Sequence, residues 1–105
     1  MFLDDKLLKM CIEYKGITDD EVNQLNKNLC IECENYYKSR LSVGMKKSDG
    51  KAIIDKTFTL WDSFVRMALK HPDKKVQILG GLFEKFTFKS QFLADPNMYS
   101  LYKSL

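Results

Sequence analysis

The chain has 105 residues, of which 45% are hydrophobic and 30% are charged, and this balance excludes a disordered or a collagen-like protein. Its length suits a single hydrophobic core, so residues 1–105 are expected to form one domain. The net charge is only +3, yet residues 1–35 carry −4 and residues 36–105 carry +7, which leaves a nucleic-acid-binding face open.

The N-terminal residues and the cysteine content predict a cytoplasmic protein. Asp4 and Asp5 interrupt the apolar start that a secretory signal needs, and no window approaches the roughly 18 apolar residues of a membrane span. Three cysteines cannot all pair within one chain. We therefore expect reduced thiols in an intracellular, reducing compartment and no association with a membrane.

The first part of the chain predicts two helices separated by a short turn. Residues 3–14 repeat apolar side chains at helical spacing, and Gly16 is expected to end this helix in the left-handed conformation. The pair of Thr18 and Glu21 then forms a capping box, which predicts the start of a second helix over residues 19–41.

The middle of the chain predicts the central helix of the fold. Residues 42–50 are polar and contain two glycines, which is typical of a loop, and Ser48 or Asp49 is expected to cap the helix that follows. Over residues 50–70 the apolar side chains span more than half of the helix circumference. Such a wide apolar arc indicates a helix that neighbours cover on two sides.

A fourth helix is predicted over residues 73–87, because Pro72 interrupts the central helix just before it. The apolar stripe of this helix consists of Val76, Leu79, Leu82, Phe83 and Phe86. In its middle, Gly80 and Gly81 indicate either the close approach of another backbone or a break in the helix. The alternating residues 86–88 could instead be extended.

The C-terminal residues predict a fifth helix. Asp95 followed by Pro96 is typical of an N-cap and a first helical residue. Helical spacing places four residues on the apolar face of this helix, namely Met98, Leu101, Tyr102 and Leu105. The fold class that follows is an all-α, compact bundle of about five helices with its central helix near residues 50–70.

The cysteines and the one histidine raise the question of a metal site. Cys11, Cys30, Cys33 and His71 together could form a Cys₃His zinc set. However, Cys11 and Cys33 fall on predicted core stripes, and the CxxC pair lies far inside a helix, where neither a zinc knuckle nor a redox centre is expected. We therefore favour core packing of the thiols, no cofactor, and a role for His71 in capping the last carbonyls of the central helix.

No motif of a known catalytic mechanism occurs, so the sequence predicts a protein that is not an enzyme. The favoured function is a small helical regulatory or adaptor protein that binds another protein. Its size and its many lysines suit a phage, viral or mobile-element modulator of a host machine. The residues predicted to contact the partner are Ile31, Phe88, Met98, Tyr99, Leu101, Tyr102 and Leu105. The C-terminal helix could dock elsewhere, complete the bundle or pair with its copy in a homodimer.

The alternative function is nucleic-acid binding through the basic residues 36–105. Bases and aromatic residues alternate over residues 85–89, a mixture that single-strand binders use for phosphates and stacked bases. The residues predicted to contact phosphate are Lys46, Lys47, Lys51, Lys74, Lys75, Lys85 and Lys89.

Overall fold

The computed structural model describes residues 2–16, 18–85 and 88–104, except for the side chains of Met98 and Leu101. The described helices are α1 (Leu3–Glu13), α2 (Asp19–Arg40), α3 (Lys47–Leu69), α4 (Lys74–Lys85), α5 (Phe88–Ala94) and α6 (Pro96–Ser104). The all-α bundle is therefore confirmed. After α4 the structure describes two helices, α5 and α6, where the sequence predicts one, because residues 88–94 form a short helix of their own. The predicted end of the fourth helix and the start of the stretch that could be extended fall on residues 86–87, which lie outside the described residues.

The turn between α1 and α2 confirms the predicted N-cap at Thr18 and contradicts the conformation predicted for Gly16. Thr18 is the N-cap of α2, and its Oγ1 accepts a hydrogen bond from the backbone N–H of Glu21 at 3.3 Å. The prediction that Gly16 adopts the left-handed conformation is wrong, since Gly44 is the one described residue with a positive φ. Gly16 instead lies against the carboxylate of Glu21, where a Cβ would come within 1.5 Å of Oε2.

The central helix α3 begins earlier than its sequence predicts. It starts at Lys47 with Lys46 as N-cap and no side-chain cap bond, so the prediction of a cap at Ser48 or Asp49 is wrong. The central position of α3 is confirmed, because it contacts each of the other five described helices. Its buried side chains include Ile54, Phe58, Trp61, Phe64, Val65 and Ala68.

α3 and α4 pack closely through a glycine. A Cβ on Gly80 would lie 2.8 Å from the Cβ of Ala68 and 3.1 Å from the backbone nitrogen of Leu69. Of the two alternatives for the glycine pair, close backbone approach is therefore the one that Gly80 shows, and α4 runs through it without a break.

The C-terminal helices cover α3 with aromatic side chains. The ring of Phe88 lies 5.9 Å from that of Phe58 and 6.3 Å from that of Tyr37, between centroids, and Phe92 adds edge contacts to both of these neighbours. The start of α6 is confirmed, because Oδ1 of Asp95 accepts from the backbone N–H of Asn97 at 2.9 Å. α5 and α6 thus pack as the last part of the bundle.

Candidate functional site

The four proposed zinc ligands do not come together. Cys11 lies on α1, Cys30 and Cys33 lie on α2, and all three are free and buried. Over the part of the chain that the structure describes, which includes all four residues, no group of three or more His, Cys, Asp or Glu side chains is placed to hold a metal ion. The geometry therefore offers no Cys₃His site.

The thiols lie in surroundings that keep them protonated. Burial raises the pKa of Cys11 to about 12 and that of Cys30 to about 11, and it raises the pKa of Cys33 as well. The Sγ of Cys30 donates to Oε1 of Gln91 at 3.0 Å, which ties α2 to α5. A buried, neutral thiol is a poor nucleophile, so these cysteines act as core residues.

His71 caps a different helix from the one predicted. Its Nδ1 accepts a hydrogen bond from the backbone N–H of Asp73 at 3.0 Å, and the carboxylate of Asp73 accepts from the N–H of Lys75 at 2.8 Å. The imidazole therefore serves the start of α4, and the prediction that it serves the last carbonyls of α3 is wrong.

Two of the predicted partner contacts are used inside the fold. Phe88 is 3% exposed, so the prediction that it is a spare aromatic residue is wrong. Tyr102 is half-buried between the rings of Phe58 and Phe92, and its hydroxyl donates to Oδ1 of Asp55 at 3.0 Å. That bond raises the pKa of the Tyr102 hydroxyl, and it fastens α6 to α3.

The other predicted partner contacts are exposed or lie outside the described residues. Ile31 is 50% exposed, and Tyr99 is exposed with Nζ of Lys103 5.0 Å from its ring centroid. The side chains of Met98 and Leu101 and the whole of Leu105 lie outside the described part of the chain. Of the seven residues predicted to contact a partner, Ile31 and Tyr99 are thus the two whose described side chains are exposed.

The seven lysines predicted to bind phosphate do not form one continuous face. Lys46, Lys47 and Lys51 lie at the start of α3, whereas Lys74 and Lys75 follow its other end, about 34 Å away along the helix. Nζ of Lys75 donates to the backbone carbonyls of Ile12 and Tyr14, so this lysine caps the C-terminus of α1. The amines of two others lie over rings of the fold, Lys51 over Tyr102 and Lys89 over Phe58.

The structure shows an apolar helix face that the sequence reading missed. On α4, Ile78 is 58% exposed and Leu82 is 37% exposed. We call the solvent-facing arc of about 100° that holds these residues the outer face of α4, and it consists of Lys74, Ile78, Gly81, Leu82 and Lys85. The period of 3.6 residues would have placed Ile78 opposite the core stripe, and Leu82 at the edge of that stripe.

The outer face of α4 borders a groove that continues onto α2. One depression has a cavity volume of about 490 Å³ and is lined by Val22, Lys74, Lys75, Ile78, Leu79 and Leu82. A second depression of about 310 Å³ shares Val22 and Leu82 with the first and extends to Asn23 and Asn26 of α2. Oδ1 of Asn26 is buried and has no hydrogen-bond partner among the described residues. The two depressions meet at Val22 and Leu82 and form one groove between α2 and α4, which is apolar near Ile78 and Leu79 and polar along α2, where Asp19 also lines it.

A larger groove, between α1, α2 and α3, is a weaker candidate. Its volume is about 700 Å³, and its lining mixes charged and apolar side chains. Lys6 pairs with Glu32 at 2.8 Å, and Asp4 accepts from Ser63 at 2.9 Å. Because these polar groups already bind one another, this groove offers less to a ligand than the outer face of α4 does.

None of the described helices has both the length and the apolar character that crossing a bilayer requires. No protein-family model matches the chain, and the comparisons with curated proteins and with solved structures found no match.

Proposed function

We propose that this chain is a non-enzymatic protein-binding module that docks a protein partner on the outer face of α4 and the adjoining groove to α2. The observation that carries the proposal is the exposure of Ile78 and Leu82 beside an apolar groove. Single exposed apolar residues are ordinary on a protein surface. Two on one helix face, next to a groove lined by further apolar residues, form the kind of patch that marks an interaction site.

Phe2 and Leu69 are also exposed and line depressions, but charged side chains surround both of them, Lys6 and Glu32 near Phe2 and Asp62 and Arg66 near Leu69. Two further exposed apolar side chains line no groove. Ile31 lies on the solvent side of α2 and lines none of the grooves described above, and Val43 lies in the loop before α3. A partner that covered the outer face of α4 would bury two aliphatic side chains and the groove between them. Burial of that kind is the main favourable contribution to protein association.

The setting we propose is regulatory and intracellular. Three buried, reduced thiols suit a reducing cytoplasm. A short chain with one docking face suits a phage, viral or mobile-element protein that modulates a larger machine of its host. In this proposal the chain acts by occupying or presenting a surface, and no bond of the partner is broken or formed.

Site-specific photo-crosslinking tests the docking face. A benzoylphenylalanine is introduced at position 78, at position 31 or at the exposed Thr59 of α3, and the protein is irradiated in the cells that make it. We expect a covalent adduct with one protein from position 78 and none from position 59. An adduct from position 31 alone would move the site to α2, and the absence of any adduct from position 78 would overturn the proposal.

Charge substitution supplies the matched comparison. The double variant Ile78→Glu/Leu82→Glu should abolish the binding of the crosslinked protein in a pull-down, because two carboxylates would be buried without partners. Ile31→Glu makes the same chemical change on α2 and should leave binding unchanged. Circular dichroism should show equal helix content in both variants, since all three residues are exposed.

A further inference from the structure

Gly80 and Gly81 are neighbours in α4, and only one of them is explained by the fold. A Cβ on Gly80 would collide with Ala68, so this glycine is required where α3 crosses α4. A Cβ on Gly81 would meet no atom within 4 Å beyond its own helix and its chain neighbours. In a helix interior a glycine is less favourable than alanine, so Gly81 destabilises α4 and no contact inside the described chain offsets this.

The position of Gly81 in α4 suggests a reason for a glycine there. It lies on the outer face of α4, one helical turn from Ile78 and directly before Leu82. Its neighbours on the helix surface, three and four positions away, are Gln77, Ile78, Glu84 and Lys85, so the missing side chain leaves a shallow notch beside Ile78. Small residues at such a notch let a second helix approach more closely than a side chain would allow, as Gly80 shows on the inner side.

The charge at the ends of the outer face indicates what occupies it. Lys74 and Lys85 are both exposed and lie 11 residues apart, which is about 16 Å along the helix. Neither of them forms an ion pair with any other residue that the structure describes. The outer face therefore has Ile78 and Leu82 at its centre, a notch at Gly81 and one positive charge at each end, and the exposed Glu84 lies beside it, outside the arc.

We infer that the outer face of α4 binds an amphipathic helix of a protein partner that crosses it at Gly81 and places acidic side chains beside Lys74 and Lys85. This inference rests on the proposed function and adds the chemistry of the partner. The partner helix has a small residue, such as alanine, at the crossing point and aliphatic residues around it. Its two carboxylates lie about 11 positions apart, to match the spacing of the lysines.

A second copy of this chain fits the same face poorly. Pairing two outer faces in parallel would bring Lys74 against its own copy, and pairing them antiparallel would bring Lys74 against Lys85. Like charges that face each other across an interface oppose association. An acidic partner removes that repulsion and adds attraction, which is why we commit to it.

Binding of designed peptides tests the charge pattern. The probe is a helical peptide of about 20 residues with alanine at the crossing position, leucines around it and two glutamates 11 positions apart. Its control has lysines in place of the two glutamates. Fluorescence anisotropy at low salt should show that the glutamate peptide binds at least tenfold more tightly, and the difference should shrink as salt rises. Equal affinity for both peptides, or no binding of the glutamate peptide, would overturn the inference.

Substitution of Gly81 tests the notch. Gly81→Ala should raise the midpoint of thermal unfolding by about 2–6 °C, since the fold has room for the methyl group and alanine favours the helix. The same change should weaken the glutamate peptide about tenfold, and Gly81→Leu should abolish its binding. Lys27→Ala, on an exposed position of α2, should leave the peptide affinity unchanged. A Gly81→Ala variant that is less stable, or that binds as tightly as the parent, would contradict the role of the notch.

The two proposals fail in different ways. An adduct at position 78 together with no preference for the glutamate peptide would leave the docking face standing and remove the acidic helix. The absence of an adduct at position 78 would instead remove the docking face. A dimer in sedimentation equilibrium that Gly81→Leu dissociates would show that a second copy occupies the face, and it would also overturn the acidic-helix inference.

Discussion

The inner and outer faces of α4 are built from the same kinds of residue and meet different surroundings. The inner face packs Val76, Leu79 and Phe83 against α3, and all three are buried. The outer face exposes Ile78 and Leu82. Each face also has one glycine in the middle of the helix, and the difference lies in whether another element of the chain covers that glycine. A side chain's apolar character therefore does not determine its role until its neighbours are known.

The largest expected effect is on the free energy of unfolding, which alanine substitution should lower much more on the inner face of α4 than on the outer face. Phe83→Ala should lower the free energy of unfolding by about 3–5 kcal/mol, because the ring is 1% exposed and contacts Trp61 and Phe64. Ile78→Ala should change that free energy by less than about 0.5 kcal/mol. Urea denaturation, followed by the fluorescence of the one tryptophan, measures both. A loss of 2 kcal/mol or more in Ile78→Ala would show that the outer face is part of the core.

The inner glycine should show the next largest effect. Gly80→Ala should lower the free energy of unfolding by about 2 kcal/mol, because the new Cβ would lie 2.8 Å from that of Ala68 and both belong to packed helices. The strain exceeds the gain in helix propensity of about 1 kcal/mol. The double variant Gly80→Ala/Ala68→Gly should recover part of the loss in the same denaturation experiment. Equal stability of Gly80→Ala and the parent would mean that α3 and α4 are less closely packed than described.

A smaller effect on stability should appear at high pH, where the buried cysteine thiols of α1 and α2 titrate. Burial raises the pKa of Cys30 to about 11 and that of Cys11 to about 12, from an ordinary value of 9.0. The contribution of these two thiols to stability should therefore be constant below pH 9 and fall as pH rises further, because the unfolded chain loses its thiol protons first. Each such thiol contributes to the decline above pH 9, up to its own folded-state pKa.

The variant Cys30→Ala isolates one of these contributions. Denaturation curves collected between pH 8 and pH 10.5 should show a shallower decline for the variant than for the parent. Identical slopes in the two proteins would indicate that the thiol of Cys30 is as accessible in the folded chain as in the unfolded one.

The comparison also shows how far the sequence could predict the molecule. Local signals were reliable: the cap at Thr18 and the N-cap at Asp95 need only their own helices, and both predictions are confirmed. The inner stripe of α4 followed from periodicity, with Val76, Leu79 and Phe83 buried. The prediction that Leu82 belongs to the core was wrong, because its burial depends on α2 closing over it, and α2 leaves a groove there.

Predictions about function depended on these tertiary contacts and were correspondingly weaker. Phe88 was expected to be spare because no local periodicity assigned it to a core, and it is buried by rings from α2, α3 and α5. Lys75 was expected to bind phosphate, and it caps α1 instead. In both cases the partner lies tens of residues away in the sequence. The sequence does not reveal the outer face of α4 for the same reason, because the exposure of a helix depends on which other helices pack against it.

The contact of Lys75 with α1 has a consequence for the order of folding. It joins residues 61 and 63 positions apart, whereas α3 and α4 are consecutive helices connected by four residues. Closing a long loop costs more entropy than closing a short one, so the α3–α4 hairpin is expected to form before α1 reaches it. Lys75→Met should therefore speed unfolding while leaving the refolding rate nearly unchanged, since α1 then docks after the rate-limiting step.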